Sequence, residues 1–171
     1  MTRGPFLAAG LALFATGCGA SPTSPPAAAP VRPTFVATLS AGNETPPVTN
    51  AESTVSGTVT ITFDTTTSGG NLTSATATFV ATLDGVPAGT SISAAHIHKA
   101  AAGTPGAIVI GASVSSAAVA GAAAISLTLT NPAPDLAAVQ DILNAPAGYY
   151  FDLHSPLNPN GFARGQLSRV Q

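Results

Sequence analysis

The sequence predicts an all-β domain: an antiparallel two-sheet Greek-key sandwich with one short helix. Apolar residues alternate with threonine and serine over long stretches, and segments rich in glycine and proline separate these stretches at regular intervals. Charged residues make up only 7% of the chain, against roughly 25% in typical globular domains, so the solvent-facing side of the strands is mainly hydroxyl and amide side chains. A Greek-key barrel is the alternative arrangement of the same strands.

Alternation locates the individual strands. In residues 55–63, for example, Val59, Ile61 and Phe63 share one face while threonines occupy the other, as expected for a half-buried strand. The same pattern recurs between turn segments along the rest of the chain. We predict strands near residues 34–41, 54–64, 72–83, 91–98, 106–111, 123–130, 147–154 and 162–170.

One helix is predicted over residues 134–145. Apolar side chains from Leu136 to Leu143 recur at helical spacing. Asp135 lies in the first turn, where a carboxylate interacts favourably with the helix dipole. Pro146 ends the segment, because proline cannot continue a helix without disrupting it.

The first 33 residues do not have the pattern of a packed domain. Arg3 precedes an apolar run that ends at Ala15, too short to span a bilayer but typical of a secretory signal peptide. Cys18 follows this run directly, as the lipidated cysteine does in a bacterial lipobox. We therefore predict a lipoprotein-type signal peptide over residues 1–17, with cleavage after Ala20 as the alternative.

This start predicts a chain exported to the bacterial cell envelope. Residues 18–33 are rich in Pro, Ala and Ser and are expected to form a tether, and residues 34–171 form the domain. A lipid on Cys18 would anchor the protein to the membrane; the alternative is a secreted protein. Cys18 is the only cysteine, so no intramolecular disulfide can form. The formal net charge is −2 without a basic stripe, which argues against nucleic acid as a partner and leaves a protein or polysaccharide partner unidentified.

Three histidines are the residues best suited to a binding site. His96 and His98 are separated by one residue on a predicted strand, so their side chains project from the same face. His154 lies on a later strand, where Tyr150, Asp152 and His154 alternate with an apolar set. If the two strands are neighbours, the three imidazoles converge on the outer surface of one sheet and form a donor set for copper or zinc.

The same residues allow interpretations without a metal. The histidines would then hydrogen-bond to loop backbone, or the His96–His98 pair would pack beneath residues 99–106. In the metal interpretation, Asp152 would either bind the metal through its carboxylate or hydrogen-bond to a ligand imidazole and orient it. Arg164 would bind the carbonyls of a neighbouring loop or pair with Asp152.

Three segments of the chain resemble the CHRD domain, the module repeated in chordin. They are FVATLSAGNETPPV, AHIH followed by GTPGAIVI, and YYFDLHSPLNPNGFARGQL, in that order, and the resemblance covers residues 34–169. The chain departs from the family pattern at Lys99, Ser155 and Phe162. None of these departures affects the three histidines or Arg164.

The resemblance implies an immunoglobulin-like or superoxide-dismutase-like sandwich. The layout of the histidines is also similar to the copper half of Cu/Zn superoxide dismutase, which would make His96, His98 and His154 copper ligands and Arg164 an anion guide. The chain lacks the bridging histidine and the disulfide of that enzyme. We therefore predict a non-catalytic cell-envelope or secreted module of unknown ligand, with a three-histidine copper or zinc site as the alternative.

Overall fold

The computed structural model describes Met1 and residues 32–114 and 125–171. The predicted signal peptide and Cys18, with nearly all of the tether, lie outside the described residues. A short 3₁₀ turn, Ala51–Thr54, precedes the second strand. The strands and the helix follow in the order β1 (Thr34–Ser40), β2 (Ser56–Ser68), β3 (Asn71–Asp84), β4 (Ala94–Lys99), β5 (Ala107–Ala112), β6 (Ile125–Asn131), α1 (Leu136–Asn144), β7 (Tyr149–His154), β8 (Ala163–Gln166) and β9 (Ser168–Arg169).

The predicted elements are all found among these strands and the helix. The last predicted strand is divided into β8 and β9, which are separated by the buried Leu167. Helix α1 has Asp135 as its N-cap, and the Asp135 carboxylate accepts a hydrogen bond of 2.8 Å from the backbone N–H of Ala138. Among the described residues, no helix has the length and apolar character needed to cross a membrane.

The strands form one antiparallel sheet with the order β5–β4–β7–β8–β1–β2–β3–β6, and β9 pairs with β1. The two outer strands approach each other where Ser113 pairs with Thr130. The sheet is therefore nearly closed and barrel-like, which is closer to the barrel that the sequence offered as the alternative than to the two separate sheets that it predicted. Alternation shows which face of a strand is buried, and that face is the same in a sandwich and in a barrel. It does not show which strands continue the hydrogen-bond ladder.

Aromatic and aliphatic side chains fill the interior of the barrel. Phe79 stacks on Phe151 with ring centroids 5.7 Å apart, which joins β3 to β7 across the core. Helix α1 packs against β3 and buries Val139 and Ile142. The completely buried aromatic side chains are Phe35, Phe63, Phe79, Phe151 and Phe162.

The hairpin between β2 and β3 depends on two consecutive glycines. Gly69 and Gly70 have φ angles of 58° and 82°, which residues with a Cβ rarely adopt. Positive φ at both central positions is the requirement of a type I′ turn, whose twist matches that of antiparallel strands. This turn fixes the pairing of the two longest strands of the barrel.

Candidate metal centre

Strand β7 lies between β4 and β8 and aligns the polar residues of the three strands. His96 is opposite Asp152, and Asp152 is in turn opposite Arg164. Ile97 and Phe151 project into the core and are fully buried. The histidines therefore lie on the face of the sheet that points away from the core, as the alternation in β7 predicted.

This face is covered, although the sequence suggested that it would be the outer surface. His98, Asp152 and His154 are only 7%, 1% and 6% exposed. The loops formed by residues 41–50 and 155–161, together with residues 100–106, supply the covering groups. Alternation separates the two faces of a strand but carries no information about loops that fold over one of them.

The three histidines converge under these loops. Nδ1 of His96 lies 3.0 Å from Nε2 of His154. One ring nitrogen from each of His96, His98 and His154 can be chosen so that all three lie within 4.8 Å of one another. The sequence left open whether His154 is near the other two, and the structure brings them together. Their role as metal ligands stays a prediction.

Backbone carbonyls set the tautomers of two imidazoles. Nδ1 of His98 is 2.9 Å from the carbonyl oxygen of Gly106, and Nδ1 of His154 is 3.1 Å from that of Pro159. Because a carbonyl oxygen only accepts hydrogen bonds, both Nδ1 atoms carry the proton, and both Nε2 atoms present a lone pair. Nε2 of His98 is buried and has no hydrogen-bond partner among the described residues.

Burial keeps the cluster uncharged. Burial, together with repulsion from His154 and His98, lowers the pKa of His96 to about 4. The pKa values of His98 and His154 are also lowered, in each case mainly by burial. Neutral imidazoles are the form that binds metal ions, so all three side chains are ready to act as ligands at neutral pH.

A bulge lies beside the histidines of β4. The pairing of β4 with β5 changes register between Ile97 and His98. Gly111 is the residue opposite His96, and a Cβ placed there would be in ordinary van der Waals contact with the imidazole, 3.7 Å from Cδ2. Bulges of this kind change the direction of side chains and are common beside binding sites.

Two buried carboxyl groups lie beside the cluster. Burial together with the charge of the neighbouring Glu44 raises the pKa of Asp152 to about 9. Burial also raises the pKa of Glu44. Gly161 closes over this pair, since a Cβ there would lie 2.6 Å from either oxygen of Asp152. Oδ2 of Asp152 is 4.0 Å from Nε2 of His154, and a protonated carboxyl at that distance makes no ion pair with a neutral imidazole.

Arg164 holds the loop of residues 41–50 over the polar face of the sheet by hydrogen bonds. Its Nε donates to the carbonyl oxygen of Asn43 at 2.6 Å, and its Nη2 donates to Oγ1 of Thr45. The guanidinium lies 4.7 Å above the ring of Tyr150, whose ring is also stacked on His98 with a centroid distance of 4.8 Å. These are the contacts of the structural alternative that the sequence offered for Arg164.

Comparison with protein-family models identifies the family to which the chain belongs. The family model of the CHRD domain matches residues 35–167, which is most of the chain. The chain belongs to the CHRD domain family. Comparisons with curated proteins and with solved structures gave no match. The matched range contains all three histidines and the loops that cover them.

Several residues that build the site of this CHRD domain were not singled out from the sequence. Gly106 and Pro159 act through their carbonyl groups, which no side-chain pattern reveals. Glu44 and Glu52 are 6% and 2% exposed, although they lie in a segment without periodicity. With Asp152, three of only seven acidic residues are buried, which is unusual and points to a specific role. The scarcity of charge was the only signal in the sequence that could have drawn attention to them.

Proposed function

We propose that this CHRD domain is a non-catalytic cell-envelope module that binds a copper or zinc ion through His96, His98 and His154. The observation that carries the proposal is the convergence of three neutral imidazoles, of which two are held by carbonyl groups so that Nε2 carries a lone pair and no proton. Buried polar atoms are normally hydrogen-bonded, so the unpartnered Nε2 of His98 also supports a ligand at this point.

The spacing of the nitrogens is compatible with one ion. Ligand atoms bound to a tetrahedral metal at about 2.0–2.1 Å lie roughly 3.3 Å apart. The separations here begin at 3.0 Å and do not exceed 4.8 Å, so sub-ångström movements of the rings suffice. Imidazole donors suit Cu(II) and Zn(II), which are the two ions we propose.

The environment favours binding over turnover. Nε and Nη2 of Arg164 are engaged by the loop of residues 41–50, and Oε2 of Glu44 lies 3.9 Å from the same Nε. An arginine compensated in this way attracts an anionic substrate only weakly. The layout is similar to the copper site of Cu/Zn superoxide dismutase, and we propose from it a related metal site without the activity of that enzyme.

We also propose that a lipid on Cys18 attaches the domain to the membrane of the cell envelope. Partition of the protein between detergent and aqueous phases tests this point directly. We expect the wild-type chain in the detergent phase and the Cys18→Ala variant in the aqueous phase. Equal partition of the two proteins would contradict the lipid anchor while leaving the metal site unaffected.

Calorimetric titration with Cu(II) and Zn(II) tests the metal site. The full chain is used with Cys18→Ala in every variant, because a free thiol binds the same ions. We expect one-to-one binding that is lost in His96→Ala, His98→Ala and His154→Ala. The matched control is Lys99→Ala, an exposed neighbour on β4 that should bind as the parent does. Absence of binding, or binding that survives all three histidine changes, would leave a module for a protein or polysaccharide ligand.

A further inference from the structure

The carboxylate of Glu52 is buried beside the loop that covers His154. Glu52 lies in the 3₁₀ turn Ala51–Thr54 and is 2% exposed. Its Oε2 accepts a hydrogen bond of 2.7 Å from Oγ of Ser155 and one of 2.5 Å from Nδ2 of Asn158. No salt bridge to Glu52 occurs within residues 32–114 and 125–171, so neutral donors alone compensate this buried carboxylate.

These two bonds organise the whole loop of residues 155–161. The backbone N–H of Asn158 donates to Oγ of Ser155 at 3.0 Å, and the backbone N–H of Gly161 donates to the carbonyl oxygen of Asn158 at 3.1 Å. Nδ2 of Asn50 also donates to Oδ1 of Asn158 at 2.9 Å. The loop is thus folded around Asn158, and Asn158 is fixed to Glu52.

Asn158, which is bound to Glu52, immediately precedes the residue whose carbonyl group orients His154. Pro159 follows Asn158, and its carbonyl oxygen is the acceptor 3.1 Å from Nδ1 of His154. Proline fixes its own φ angle, so the position of Asn158 largely determines where this carbonyl oxygen lies. Ser155, the other residue bound by Glu52, is the chain neighbour of His154. Glu52 therefore holds both the residue next to His154 in the chain and the residue before the carbonyl group that binds its imidazole.

We propose that Glu52 is a positioning residue of the three-histidine cluster. By holding Ser155 and Asn158, it keeps the carbonyl of Pro159 against Nδ1 of His154, so that Nε2 of His154 is unprotonated and its lone pair points towards His96 and the proposed metal position. The part of this proposal that concerns the metal rests on the proposed function. The part that concerns the tautomer of His154 does not, because the tautomer is defined without any metal.

The tautomer is measured by two-bond ¹H–¹⁵N correlation spectra of the imidazoles in the metal-free full chain. We expect the Nδ1–H form of His154 in the wild type and a mixture dominated by Nε2–H in Glu52→Ala. Glu52→Gln keeps an acceptor oxygen for both donors and should restore the Nδ1–H form. Ser155→Ala removes one of the two bonds to Glu52 and the acceptor of the Asn158 N–H, so it should also shift His154 towards the Nε2–H form, and it remains informative if Glu52→Ala does not fold.

A matched destabilised variant separates positioning from general loss of stability. Val55→Ala removes buried volume next to the same turn and leaves the groups of Glu52, Ser155 and Asn158 that hydrogen-bond to one another in place, so His154 should keep its tautomer. Loss of an oriented ligand typically weakens metal binding about 10–100-fold, and we expect this range for Glu52→Ala but not for Val55→Ala. An unchanged Nδ1–H form in Glu52→Ala would overturn the proposal. A changed tautomer without metal binding in any protein would instead overturn the proposed function alone.

Discussion

Nδ1 of His96 and Nε2 of His154 share one hydrogen bond of 3.0 Å, although 58 residues separate them in the chain. Nδ1 of His154 donates to Pro159, so its Nε2 is the acceptor and His96 supplies the proton. A metal ion bound between these atoms takes the place of that proton. Since His96 is neutral, the proton can move to its own Nε2, and no net release to solvent is required.

Metal affinity should therefore depend weakly on pH above the lowered pKa values. Affinity falls about tenfold per pH unit for each ligand histidine once the pH is below its pKa. Because the pKa of His96 is lowered to about 4 and those of His98 and His154 are also lowered, we expect less than roughly a tenfold loss between pH 7.5 and 5.5. Calorimetric titrations with the metal ion at these two pH values measure the loss of affinity. A loss of about a hundredfold or more would show that the imidazoles titrate as in free histidine.

The contribution of His96 to the stability of the metal-free protein should decrease as the pH is lowered. The unfolded chain binds a proton at His96 below pH 6.5, whereas the folded chain does so only below about 4. Between these values the unfolded state binds more protons at this side chain, so its contribution to the free energy of unfolding decreases as the pH falls. We expect the free energy of unfolding of the wild type, relative to that of His96→Gln, to decrease between pH 7 and 5 in urea denaturation. Relative to that of Lys99→Gln it should stay constant, and an identical slope in all three proteins would contradict the assignment.

Asp152 should contribute stability that decreases as the pH rises, which is the opposite of the contribution of His96. Its pKa is raised from 3.8 to about 9, so the folded state holds a proton that the unfolded state has lost. The stability that this provides is complete below pH 3.8 and is lost as the pH rises through about 9. We expect the free energy of unfolding to fall by up to about 1 kcal/mol per pH unit in this window and the fall to be reduced in Asp152→Asn. Urea denaturation at pH 6 and 9 measures it, with the exposed Asp141→Asn as control.

Arg164 should be required for stability. Removing one partner from a buried charged network typically costs about 3–5 kcal/mol, and we expect this loss for Arg164→Ala. Arg164→Lys should lose part of it, because an ammonium group cannot hold Asn43 and Thr45 in the fork geometry of the guanidinium. The free energy of unfolding in urea is the measurement. Arg169→Lys, at an exposed position, should change it by less than about 0.5 kcal/mol; equal losses at both positions would contradict the role of Arg164.

The fold was largely predictable because its strands are strictly alternating. The apolar set of β7 correctly assigned Phe151 to the core and Asp152 and His154 to the opposite face. Ile97, fully buried, places His96 and His98 on that same face. Closure of the sheet was not predictable, because the pairing of Ser113 with Thr130 joins strands whose own patterns do not identify their neighbours.

Of the residues that form the site, only the candidate ligands could be predicted from the sequence. Rare histidines at a two-residue spacing stand out in any sequence with so few of them. The groups that orient them do not stand out, since the carbonyls of Gly106 and Pro159 belong to loops without periodicity. Glu52 acts on residues more than a hundred positions away in the chain, and such a contact has no local signature.

The position of β1 in the sheet has a consequence for the time course of folding. One side of β1 pairs with β2, which follows it closely, but its other side pairs with β8 and β9, and Ser168 lies 132 residues from Val36. Contacts of such long sequence separation slow folding, because the intervening chain must be ordered before they form. Until these residues dock, β1 is an unpaired edge on which other chains can add as strands. The C-terminal strands of this domain thus decide whether β1 becomes part of the barrel wall or a starting point for aggregation.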